Sequence, residues 1–139
     1  MYARSHPEVV NYVSQKARVF VHSRSATTCL EPDISAYASY PRDTPYEEIR
    51  WEEVSPILVA EILVEGDARK DLERNAELYF EVPSVREYWV LDGREDPNEP
   101  TLIQHRRYGK RWVIRSYPYG STFTTKLLPG FSLVIDPRK

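Results

Sequence analysis

The chain has one cysteine, Cys29, in 139 residues. A lone thiol can form no intrachain disulfide and no cysteine-cluster zinc centre. No base stands at a recognisable spacing from it, so the expected role is that of a small packed residue. Long hydrophobic runs are missing too. The longest, Ile57 to Val64, is interrupted by Glu61 and is too short to span a bilayer. Met1 to Pro7 offers no apolar signal-peptide core, and a cytoplasmic location with no membrane partner is the resulting expectation. There is no glycine-rich phosphate loop and no Ser-His-Asp motif. His6, His22 and His105 show no metal-ligand spacing. The formal net charge is only −2, so the bulk charge gives no argument for polyanion binding. Any contact with nucleic acid has to come from a local patch.

What is present describes a folded chain. Apolar residues make up 41% and charged residues 29%, a globular composition, and the length suits one compact domain over residues 1–139. Pro7 to Lys16 reads as a short helix with Pro7 in its first turn. Arg18 to His22 and Pro32 to Ala38 read as strands, and the prolines between Tyr40 and Tyr46 as loop. Pro56 introduces Ile57 to Val64, a β-branched run that predicts a strand buried on both faces. Gly66 and Asp67 break that strand and could cap a helix over 68–80. Its apolar positions Ala68, Leu72, Ala76 and Tyr79 share one face. Val85 to Asp92 is the next strand, and strand-helix-strand in close order predicts a parallel crossover. Thr101 to Tyr108 and Arg111 to Tyr117 flank Gly109-Lys110 as a hairpin. Thr122 to Leu127 and Phe131 to Asp136 complete the expected strands. The fold class is mixed α/β (α+β): a mixed sheet, one crossover helix and a C-terminal antiparallel hairpin region.

Two acids stand out. Glu61 interrupts an apolar strand, where a buried charge costs several kcal/mol, roughly, unless it is paired, protonated or bound to a cation. Asp33 follows Pro32 at the start of another strand. Two carboxylates at adjacent strand ends are hard oxygen ligands that could share Mg²⁺ or Mn²⁺, the remaining positions being filled by water. The alternative is that each acid lies at a strand edge, solvated or paired with an arginine.

Pro32-Asp33, Val59-Ala60-Glu61-Ile62-Leu63, Asp71, Tyr79, the run Arg86 to Asp92 and Leu128-Pro129-Gly130-Phe131 together resemble the Uma2 family, over most of the chain from Pro32 to Ile135. The resemblance implies a restriction-endonuclease-like PD-(D/E)XK fold and metal-dependent hydrolysis of DNA phosphodiesters. It implies that Asp33 and Glu61 are the metal-binding acids. Leu63 stands where many nucleases of this fold carry lysine. In Uma2-like sequences the lysine moves to the following helix, four residues after the aspartate and four before the tyrosine, and here that position is Asn75. A lysine would orient or deprotonate the attacking water and stabilise the charged transition state. Asparagine can hydrogen-bond but carries no charge. Lys70 is the nearest stand-in, although it lies about 160° round the helix from Leu72. Val64-Glu65 replaces the family's Ser-Pro after the central strand, and the family's amino-terminal region is expected to be shortened within Met1 to Lys16. A degenerate paralogue without turnover is therefore the competing expectation.

The segment His105 to Arg115 is locally basic. It could contact DNA phosphates, with Tyr108 or Trp112 near a base or sugar. Alternatively it is a solvated hairpin whose arginines offset the acids in Glu95 to Glu99, with alternate side chains on opposite faces. The tyrosines and tryptophans are expected in the core or at an interface. A binding module without turnover and a small homodimer are the remaining functional alternatives.

Overall fold

The computed structural model describes residues 2–25, 28–64 and 69–138, with the side chains of residues 69–71 set aside. A six-stranded mixed sheet dominates. Its strands are β1 (Tyr12–Ser14), β4 (Ile34–Tyr37), β5 (Leu58–Leu63), β6 (Glu87–Asp92), β7 (Thr101–Tyr108) and β8 (Arg111–Tyr117), in that spatial order. Two-stranded ribbons pair β2 (Val19–Phe20) with β3 (Cys29–Leu30), and β9 (Thr122–Thr124) with β10 (Ser132–Val134). The helix α1 covers Tyr2–Ser5 and α2 covers Arg69–Phe80. Among the described residues, no helix is long and apolar enough to cross a membrane.

β5 and β6 pair in parallel and are joined through α2, as strand-helix-strand order predicts. All other pairings in the large sheet are antiparallel. Register divides the side chains cleanly. Val59, Tyr88, Val90 and His105 lie on the side covered by α2, where Leu78 and Tyr79 complete a core. Leu58, Trp89 and Leu102 face the other side, where Phe123, Leu128 and Ile135 close a second core. On α2, Leu72, Ala76 and Tyr79 pack on the sheet, so the predicted apolar face is observed from Leu72 onward. Ala68, Gly66 and Asp67 lie outside the described residues.

Three expectations are corrected. Pro7 to Lys16 is not a helix. His6 ends the first turn with a bond from its N–H to Tyr2 O, and Tyr12–Ser14 becomes a strand paired with Tyr37 to Ser35. A β-branched and aromatic segment gains more from the open edge of β4 than from a short isolated helix. Asn11 fixes the register: its Nδ2 donates to Tyr40 O and its Oδ1 accepts from Tyr40 N–H, both at 2.9 Å. Second, β5 is buried on both faces only in its first half. Ile62 is 48% exposed, because β4 pairs with β5 only as far as Ala60. Third, Cys29, expected as a small buried residue, is only half-buried, in the ribbon strand β3.

Candidate active site

Glu61 points to the α2 side of β5, one residue past the last β4 pairing, and is half-buried. Its carboxylate is held by three side chains. Tyr88 Oη donates to Oε2 at 2.7 Å, Tyr79 Oη to Oε1 at 3.2 Å, and Asn75 Nδ2 reaches both oxygens at 3.2 and 3.4 Å. Tyr79 and Asn75 come from one face of α2 because residues four apart stack on a helix. Tyr88 comes from β6, and the two rings lie 4.9 Å apart. Burial pushes both phenols well above their ordinary range, and the negative charge of Glu61 beside them adds to the shift. Both therefore stay protonated at neutral pH and act as donors toward Glu61.

Asp33 immediately precedes β4. Ile34 pairs with Ala60, so one step further along the antiparallel register sets Asp33 against Glu61. Its charge also raises the pKa of Tyr79 and Tyr88, as a smaller contribution. Its Oδ2 accepts from Ile62 N–H at 2.7 Å, capping a backbone donor left over where β4 stops. Asp33 is exposed and Glu61 half-buried, so the pair opens to solvent.

The structure thus gathers Asp33, Glu61 and Asn75 at one end of the β4–β5 pair. The side chains of Lys70 and Asp71 lie outside the described residues. No arginine or lysine pairs with Glu61 among the described residues. Nor do three or more His, Cys, Asp or Glu side chains gather as a metal site among them. The donor set is two carboxylates, which suits an oxygen-loving divalent cation completing its shell with water.

Sequence reasoning missed the tyrosine cradle. Tyr79 follows Asn75 by four residues, which placed it on the same helix face, but nothing local linked Tyr88 to Glu61. The basic segment also resolves differently from one continuous patch. His105 is buried, with Nδ1 donating to Tyr88 O at 3.1 Å. Arg107 donates to the carbonyls of Phe80, Val82 and Val85 at the end of α2, with its guanidinium 4.1 Å from the Phe80 ring centroid. Trp112 donates to Ala76 O at 2.8 Å. These three side chains serve the fold on the α2 side, while Arg106 and Arg115 share the opposite face of the sheet.

A search among curated proteins returned no match. The Uma2 family model, described as “Putative restriction endonuclease”, matches residues 5–136. The large mixed sheet with its few helices is consistent with a restriction-endonuclease-like architecture. A match over nearly the whole length shows that this protein belongs to the Uma2 family.

Proposed function

We propose that the protein is a metal-dependent endonuclease acting as one domain on DNA phosphodiester bonds, with Asp33 and Glu61 as its metal-binding pair. The observation that carries this reading is the cradle at Glu61. Two buried phenols and an amide orient that carboxylate through neutral donors. Glu61 is half-buried and faces the exposed Asp33 across the β4–β5 register, so a cation can reach both acids.

A divalent cation held by Asp33 and Glu61 would supply Lewis-acid activation of water and neutralise charge on the scissile phosphate. The chain's own residues do the rest. Tyr79 and Tyr88 fix the rotamer of Glu61, and the backbone N–H of Ile62 fixes Asp33. Asn75 occupies the place of the family's lysine; it can donate a hydrogen bond but can neither accept a proton at neutral pH nor offer a full positive charge. Turnover is therefore slow unless Lys70 supplies that charge.

The test is nicking of supercoiled plasmid with Mg²⁺ or Mn²⁺. Wild type should nick and Glu61→Ala should not; no metal-dependent nicking at any protein concentration overturns the hydrolytic reading. A second reading, a DNA-binding module without turnover, is favoured specifically by the neutral Asn75. It predicts salt-sensitive DNA affinity that survives Glu61→Ala without any nicking.

A further inference from the structure

The face of the sheet turned away from α2 carries a second polar assembly. Arg106 of β7 and Arg115 of β8 lie on it together with Lys126 from the loop after β9. All three line a cavity of about 670 Å³ with Gln104 and Tyr117. A neighbouring cavity of about 300 Å³ shares Arg106 and Lys126 and adds Arg86, from just before β6. Arg106 and Lys126 thus line both cavities of this trough, with Arg115 added in the first and Arg86 in the second. Among the described residues, no carboxylate pairs with any of them. The carboxylate beneath the trough, Glu87, is 2% exposed and already engaged. Trp89 Nε1 donates to it at 2.8 Å, Gln104 Nε2 at 2.9 Å, and Thr125 Oγ1 also donates to it. Tyr117 Oη donates in turn to Gln104 Oε1 at 3.3 Å, so the floor is a closed network and the cations stand above it with their charge uncommitted.

We propose that this trough is a phosphate-binding site, separate from the Asp33–Glu61 site and on the opposite face of the sheet, which holds the phosphates of a nucleotide or of a nucleic-acid strand. Gathering like charges is unfavourable without a counter-anion, and guanidinium groups match phosphate oxygens in pairs. The two sources of phosphate share this chemistry and differ in extent: the two adjoining cavities give room for more than one phosphate along a strand. The inference stands independently of the hydrolytic reading, because no group in the trough belongs to the acidic site.

The test is fluorescence anisotropy of the full chain with a labelled single-stranded oligonucleotide of about twelve nucleotides, in EDTA so that hydrolysis plays no part, with unlabelled pyrophosphate and ATP as competitors. Wild type should bind, with affinity falling steeply in salt. The double variant R106A/R115A should bind about tenfold or more weakly with a shallower salt dependence. Both arginines are exposed, so the double variant should fold; its thermal transition checks this, and Lys126→Glu is the second variant should it not. Competition by ATP and pyrophosphate with weak oligonucleotide binding supports the site and assigns it to free nucleotides. Binding that survives both R106A/R115A and Lys126→Glu, or no binding of any of the three probes, overturns the proposal.

Discussion

Two phenols beside a carboxylate stabilise it only while they keep their protons, and burial guarantees that for Tyr79 and Tyr88. The shorter bond comes from Tyr88, which is fully buried. Tyr88→Phe should therefore lower stability by about 1–2 kcal/mol, as expected for a lost bond to a charged acceptor that water partly replaces. Urea denaturation measures it, and an unchanged midpoint would show that the bond contributes nothing. Asn75 makes a sharper functional prediction. Asn75→Lys restores a charge four residues before Tyr79, so metal-dependent plasmid nicking should rise by about tenfold or more, by analogy with other charge-stabilising groups. Asp33 and Glu61 stood out as candidates because an acid at a strand start and a charge inside an apolar strand are local signals, whereas Asn75 followed only from the family resemblance; the structure brings the three side chains to one strand end. The hydroxyl of Tyr88 was not legible in the sequence, since its meeting with Glu61 depends on the register of two strands separated by a helix.

The crossover helix ends against β7, and Arg107 is the reason it can end there. Its guanidinium serves the carbonyls of Phe80, Val82 and Val85 and lies 4.1 Å from the Phe80 ring centroid and 5.2 Å from that of Trp112. Arg107→Ala strands those acceptors and should cost about 2–3 kcal/mol. Arg106→Ala, one residue away but exposed on the other face, should change stability by less than about 0.5 kcal/mol. Parallel denaturation curves compare the two. Equal effects would mean that the helix end is satisfied by other means. Alternation along β7 made the split of the basic segment foreseeable, but the partner of Arg107 was not, because helix ends leave no trace in the strand that caps them. The hairpin β7–β8 was read to the residue from Gly109-Lys110, whose glycine sits at φ +61°. Tyr12–Ser14 was misread because a short segment rich in β-branched and aromatic residues takes its state from the edge it meets.

The sheet separates two chemistries: acids and phenols under α2, cations on the far face. His105 ties the first side to pH. Burial lowers its pKa, only partly opposed by its bond to Tyr88 O. The unfolded chain therefore binds a proton before the folded one does. Stability from this group is complete above the unfolded value of about 6.5 and is lost as pH falls below it. Asp92, held low mainly by Arg94, acts in a separate window, losing its contribution only as pH falls below about 4. Thermal melts should thus decline in two steps with acidification, and His105→Gln should remove the first; one smooth decline in both proteins would refute that assignment. The overall architecture was legible from hydrophobic period and turn residues, and the two-sided use of the sheet was not, because it follows from pairings distant in sequence. The hydrolytic reading depends above all on one shared cation. Calorimetric titration of Mn²⁺ into wild type and Glu61→Gln tests it directly, since the amide keeps the shape of the acid but removes its charge. Saturable binding in wild type that is lost in Glu61→Gln is the predicted result; equal heats from both proteins, or none from either, would contradict it.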